Sequence, residues 1–276
     1  MTRQRALALA GGLLWWAAAA GAAVGQALPA QPARYLLTTE ASDGRALWVN
    51  PAGLARAPEA SIGADVTVDR FFPGPRPQLS EYGASLTARG LAAGWEHERL
   101  PGRQYTNVFA VGLGMGDEAF SGGVTRRWYT GSVTGSAWDA ALRLSTWGGT
   151  QLSLVTANLG SPRLADSTYW ATLVPGASVN LFGGALQAAG EWEVAPHAWR
   201  SIAYRAGGTL ALGRGFALLV RADLSPSFKR RGLVVALGFD ASGSRAGAFA
   251  LASGGASEVD ALGLSGAIVT RGPARR

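Results

Sequence analysis

From about residue 59 to residue 270 the chain switches between apolar and polar at every second position, in short bouts. Phe216, Leu218, Val220, Ala222 and Leu224 alternate with Arg221 and Asp223. Trp138, Ala140, Leu142 and Leu144 alternate with Asp139, Arg143 and Ser145, and Ile62, Ala64, Val66 and Val68 with Ser61, Asp65, Thr67 and Asp69. A period of two sends successive side chains to opposite faces of a strand. Bouts of this kind are centred near residues 64, 85, 94, 109, 124, 141, 154, 174, 188, 207, 219, 236, 248 and 264. Turn signals lie at Pro101-Gly102, Gly148-Gly149, Gly160-Ser161-Pro162, Pro175-Gly176, Gly183-Gly184, Gly213-Arg214-Gly215 and Ser242-Gly243. The pattern predicts about fourteen strands. A strand that crosses a membrane takes roughly 9–11 residues plus a turn, and the spacing fits that length.

The alternation is absent before residue 59. Residues 1–25 have a basic start (Arg3, Arg5), an uncharged apolar run and the small-x-small site Ala23-Val24-Gly25, and they predict a cleaved export signal. Residues 26–44, with Pro29 and Pro32, read as an extended linker. Gly44 to Arg56 then reads as a compact, non-strand plug. Asn50-Pro51 forces the asparagine out of the helical region and starts a turn, and small Ala52 and Gly53 permit close approach to another surface. The predicted organisation is signal peptide 1–25, linker and plug 26–58, barrel 59–270 and basic tail 271–276.

Composition decides which kind of alternating protein this is. Nearly half the residues are hydrophobic (48%) and only 16% are charged, against about 25% in soluble domains. There are 39 Gly and 10 Trp. A soluble sandwich needs Lys, Glu and Thr on its wet face. Here the less apolar face is mostly Gly, Ala, Ser and Thr, while the other carries Leu, Val, Tyr and Trp. Aromatic residues also cluster near strand ends (Trp128-Tyr129, Tyr169-Trp170, Trp192, Trp199, Tyr204), where an interfacial girdle would sit. The expected fold is therefore all-β, a single antiparallel transmembrane β-barrel of about fourteen strands with a small N-terminal plug. The net charge of +7 falls to about +5 without the leader's two arginines. The remaining cations are scattered among predicted turns, so nucleic acid is not an expected partner. Lipid is.

The reactive inventory is small. There is no Cys. His97 and His197 have no second His at metal-ligand spacing and read as strand-end or loop residues. Glu191 and Glu193, two apart on one strand face, have the spacing of an acid–base pair, but in a barrel the same spacing lines the lumen with negative charge. Gly112-Leu113-Gly114-Met115-Gly116 is glycine-rich without the Lys-Ser/Thr ending of a phosphate loop. Neither a catalytic residue nor a cofactor or metal site is expected, and the chain does not read as an enzyme. The polar residues expected to face the lumen are Arg143, Glu191, Glu193, Arg205, Arg221 and Asp223.

Leu47-Trp48-Val49-Asn50-Pro51-Ala52-Gly53-Leu54, followed by fourteen-odd strands, resembles the FadL-like outer-membrane barrels, including their PorV-type branch. The run Leu154 to Gly160, with its strand-end Asn158-Leu159-Gly160, is similar to a less specific feature of the same barrels. The resemblance implies an Asn-Pro-Ala plug (Asn50, Pro51, Ala52, Gly53) inside the barrel, an outer-membrane location, and passage of small hydrophobic, fatty-acid-like molecules past the plug. The PorV branch implies a second possibility, a barrel that holds a secreted or surface protein. The chain departs from the family in its short loops and in ending Val269 to Arg276 without a terminal aromatic residue.

Overall fold

The computed structural model describes residues 36–57, 60–69, 77–100, 104–161, 163–164, 167–241, 244–253 and 259–270. The expected signal peptide and basic tail lie outside them, as do Pro101-Gly102, Pro162 and Ser242-Gly243. Among the described residues sixteen strands follow the N-terminal segment. They are β1 (Ala60–Asp69), β2 (Gln78–Ala88), β3 (Leu91–Leu100), β4 (Gln104–Gly116), β5 (Phe120–Gly131), β6 (Val133–Ser145), β7 (Thr150–Leu159), β8 (Arg163–Leu164), β9 (Ser167–Thr168), β10 (Thr172–Leu181), β11 (Leu186–Ala195), β12 (Arg200–Gly213), β13 (Phe216–Leu224), β14 (Arg230–Ala241), β15 (Ser244–Ser253) and β16 (Ala261–Thr270). All but β8 and β9 pair antiparallel with their neighbours around a complete circle, which closes where β1 meets β16 (Ala60↔Thr270 to Asp69↔Ala261). The result is a closed fourteen-stranded barrel. Closure leaves no open edge to be satisfied by water. The short β8–β9 hairpin extends the end of β6.

Alternation sorts the side chains. On β4, Thr106, Val108, Ala110, Gly112 and Gly114 are buried, while Phe109, Val111, Leu113 and Met115 between them are exposed. The same holds on β16, where the outward Leu264 and Ile268 are 61% and 70% exposed. The buried set, in contrast, includes Glu96, Arg127 and Asp139, each at most 2% exposed. Apolar outside and polar inside is the reverse of a water-soluble protein and suits a hydrocarbon exterior. No helix among the described residues is long and apolar enough to cross a membrane.

The two ends differ. One is closed by short turns, among them Arg89-Gly90 and Arg214-Gly215. Both residues of each pair have positive φ (49° and 88°; 52° and 83°), the conformation that two-residue hairpins need to match strand twist. The other end carries the longer connections 70–77, 160–171 and 254–260. Aromatic stacks ring the outside at this second end: Trp192 on Tyr204, Tyr204 on Phe228, and Trp170 on His197 at 5.1 Å. His97 also points outward here, between Tyr82 (4.9 Å) and Tyr105 (5.5 Å).

Three expectations are corrected. Pro175-Gly176 is not a turn but the middle of β10: Pro175 sits opposite Leu154 of β7, and the β10–β11 ladder is interrupted beside it because proline has no N–H to give. Tyr129 and Tyr169 do not belong to the girdle. Both are buried in the cluster that contains Trp48, because Tyr129 follows the outward Trp128 by one residue and therefore faces inward. Residues 36–44 are not an extended linker, since Leu37, Thr38, Thr39 and Ala41 are buried as part of the plug.

Candidate functional site

Residues 36–56, packed inside the barrel where a plug is expected, are built from three short pieces. Residues 36–45 run in turns, α1 (Ala46–Val49) adds a single helical turn, and Pro51–Arg56 forms a 3-10 helix. Each residue of the Asn-Pro-Ala-Gly motif has a separate physical task. Asn50 takes φ −157° and ψ 96°, the extended conformation that precedes proline. Its Oδ1 accepts from the Ala52 N–H (3.0 Å), capping the 3-10 helix, and its Nδ2 donates to the Thr38 carbonyl (2.7 Å). Pro51 occupies the first helical position, where a missing N–H costs nothing. Ala52 is fully buried against Ala141, Val155 and Val174. Gly53 leaves room for the Ala41 carbonyl, onto which any Cβ would project.

The barrel wall is shaped to receive these pieces. At Gly94 a Cβ would lie 2.6 Å from Trp48 and 2.8 Å from Leu47, and at Gly112 it would lie 2.7 Å from Leu47 and 2.9 Å from Leu54. At Gly114 it would meet Leu54 at 2.8 Å, and at Gly123 it would overlap the Pro51 carbonyl. Gly94, Gly112, Gly114 and Gly123 face inward on the neighbouring strands β3, β4 and β5, and together they make a bare floor under the plug. Gly176 on β10 does the same for Thr38. Leu47 and Leu54 pack on this floor with no exposed surface, and burying each is worth about 1.5–3 kcal/mol.

Polar side chains fasten the plug by its backbone. Thr125 donates to the Leu47 carbonyl (3.2 Å) and Arg127 to that of Trp48 (3.1 Å). Arg127 is itself paired with Asp139, whose Oδ1 also accepts from the Asn158 N–H. Arg143 donates to the carbonyls of Thr39 (2.7 Å) and Ala41 (3.3 Å) and to the Gln151 side chain. Arg221 reaches the Leu36 carbonyl (3.2 Å) and pairs with Asp223. Glu191 accepts from the Thr38 N–H, and Arg56 donates to Ser145 Oγ at 2.7 Å. Turn carbonyls that would otherwise be buried without partners are thus satisfied by wall cations.

Two acids of the plug have shifted ionisation. Burial pushes the Glu40 carboxyl above its ordinary 4.5, although it accepts hydrogen bonds from Thr209 Oγ1 (2.6 Å) and the Leu37 N–H (3.0 Å). Burial works in the same direction on Asp43 but is outweighed by Arg45 (2.7 Å) and Arg245 (3.0 Å), which hold it at about 2. Arg245 reaches from β15 and also pairs with Asp240 of β14 (2.8 Å).

Beside the plug lies a cavity of about 340 Å³ between residues 36–48 and the wall made by β12 to β16, β1 and β2. Leu36 and Trp48 face it from the plug; Ala217, Leu219, Ala236, Phe249 and Val269 face it from the wall. The charged groups of its lining are the paired Asp43, Arg45, Asp240 and Arg245, together with Glu40, Asp65 and Glu81. Among the described residues no group of His, Asp and Glu has the arrangement of a metal site.

The residues singled out from the sequence therefore fall in three places. Asn50, Pro51, Ala52 and Gly53 form the plug's central bend. Arg143, Glu191 and Arg221 face the lumen and hold the plug, and Asp223 orients Arg221. Glu193 and Arg205 face the lumen too, and Arg205 pairs with Glu193 (2.5 Å) and with Glu191 (3.4 Å). Arg205 thus offsets part of the charge of the Glu191–Glu193 stripe, which lines the lumen. Sequence reasoning missed the glycine floor, Arg127 with Asp139, and Arg245. The available signal for the floor was glycine at inward positions of otherwise well-alternating strands.

No protein-family model and no curated protein matches the chain. Solved structures do. Omp33, an outer membrane protein of Acinetobacter baumannii, aligns over 77% of this chain and 98% of its own, with 8% identity and a TM-score of 0.50. A TodX mutant, a monoaromatic hydrocarbon channel, aligns over 81% of this chain and 93% of its own at 11% identity, with a TM-score of 0.49. The KdgM porin aligns over 76% and 99%, at 8% identity and 0.40. At such low identity the likeness speaks to architecture, and on the strength of the Omp33 match the architecture is that of an outer-membrane β-barrel.

Proposed function

We propose that the chain is a non-enzymatic outer-membrane barrel that admits small hydrophobic molecules past a seated plug. The observation that carries this reading is the lopsided lumen: the plug is packed on the glycine floor of β3 to β5 and against Ala141 and Val155 of β6 and β7, and a cavity of about 340 Å³ is left on the side of β12 to β16, β1 and β2. That volume is at the small end of ligand sites and accommodates one compact molecule. Asp43, Arg45, Asp240 and Arg245 pair with one another, and the apolar stretch of Leu36, Trp48, Leu219, Ala236 and Phe249, with the carboxyls of Glu40, Asp65 and Glu81 in the same lining, selects the passenger. The plug-in-barrel plan agrees with the resemblance of residues 47–54 to the FadL-like family.

The test is removal of residues 45–56 from protein reconstituted in liposomes. Leakage of a small sugar should rise sharply, whereas entry of a fluorescent apolar probe, already open to the intact protein, should change less. Unchanged sugar leakage would remove the plug from the mechanism. A stoichiometric protein that co-purifies with the intact barrel, with no apolar compound detected by mass spectrometry, would favour the PorV-like holding role instead.

A further inference from the structure

Arg126 is out of place. It lies on β5 between Val124 and Trp128, on the outward face, among side chains suited to hydrocarbon. The strand's inward neighbours Thr125 and Arg127 serve the plug; Arg126 cannot. Among the described residues no carboxylate pairs with it. Its guanidinium instead lies 4.8 Å from the ring centre of Trp138, the residue directly opposite on β6, and 5.8 Å from that of Trp128. One N–H donates to Ser136 Oγ at 2.6 Å, toward the end of the barrel that carries the aromatic stacks and the longer connections.

A guanidinium facing lipid is costly at the bilayer midplane and inexpensive near the interface. The two indoles and the hydroxyl draw Arg126 toward that interface and hold it in one orientation, and the planar fork keeps further donors for an anion. Tryptophan belongs at headgroup depth, so the anion available there is the phosphate of a lipid. We propose that Arg126, Trp128, Trp138 and Ser136 form an exterior site for the phosphate of a lipid headgroup. The site depends on the lipid-facing exterior and not on what passes through the lumen.

The test is native mass spectrometry of the detergent-solubilised barrel titrated with phosphatidylglycerol, using Arg126→Gln and Arg126→Lys beside the parent chain. Heat-modifiable gel mobility checks that each variant is a folded barrel. Loss of a charged hydrogen-bonded contact should leave Arg126→Gln retaining the lipid about tenfold more weakly or worse. Arg126→Lys keeps the charge without the fork and should fall between. Equal retention by folded parent and Arg126→Gln would overturn the site, as would full displacement of the lipid by millimolar inorganic phosphate.

Discussion

The two sides of the lumen differ in the kind of surface they offer. On β3 to β5 four inward positions are glycine, and the plug's own Leu47, Trp48, Pro51 and Leu54 take the space that wall side chains would have filled. On β13 to β16 the wall keeps its side chains (Leu219, Val234, Ala236, Phe249), and the plug meets it through the packing of Leu36 and Val49, the Asp43–Arg245 ion pair and the Arg221–Leu36 bond. Glycine therefore means different things in one barrel. At 123 it is a contact surface; at 238 the nearest atom a Cβ would meet is 3.9 Å away. A plug seated closely on one wall and only in part on the other resembles a hinge leaf more than a cork.

Substitution at these two glycines should break the comparison most visibly. Gly123→Val drives a side chain into the Pro51 carbonyl on a strand laddered on both sides, so the plug must leave its seat. Sugar leakage from liposomes should then approach that of the 45–56 deletion. Gly238→Val puts its methyls into the cavity, and should slow entry of an apolar probe while leaving sugar leakage at the parent level. Equal leakage from both variants would show that the two sides are not distinct.

Next comes Leu54→Ala. Removing a fully buried leucine costs about 2–5 kcal/mol, and here the loss should fall on plug docking rather than on the barrel. Hydrogen exchange of residues 46–56 should accelerate while the strands keep their protection. Asn50→Ala should act the same way with a smaller effect, about 2 kcal/mol, since it removes the cap and strands the Thr38 carbonyl.

The smallest effect is that of pH. Glu40 has a raised pKa, so the folded state holds its proton longer than the unfolded one, and docking weakens as pH rises above the ordinary 4.5. Asp43 has a lowered pKa; its contribution is complete above about 4 and is lost as pH falls toward about 2. Plug protection should therefore peak in mildly acidic solution. Glu40→Gln should flatten the alkaline side of that peak and leave the acid side alone.

Strand positions could be read from the chain because burial on one face imposes a period of two, and that period survives in a single sequence. Trp138 to Ser145 shows it without ambiguity. Pro175-Gly176 misled because its local grammar is that of a turn; the pairing with β7 and the approach of Thr38 to Gly176 are made by residues far away in sequence. The same holds for Thr38, which looks like linker until Ser153 (2.7 Å) and Glu191 take hold of it. Asn50 was recognisable because its constraint is local, imposed by the proline that follows. The glycine floor was hidden because glycine reports only a missing side chain, and what fills the gap lies elsewhere.

The plug is joined to β1, and β1 is the strand that completes the circle. Its pairing with β16 brings together residues 210 positions apart, as in the Thr270 hydroxyl bonded to the Ala60 carbonyl. Contacts that distant form late, because a long loop must be closed before they reward the chain. The seam therefore shuts after most of the wall exists, and the segment leading into it must already be indoors. The order expected from this topology has the plug enclosed by the barrel as it closes and not threaded in afterwards.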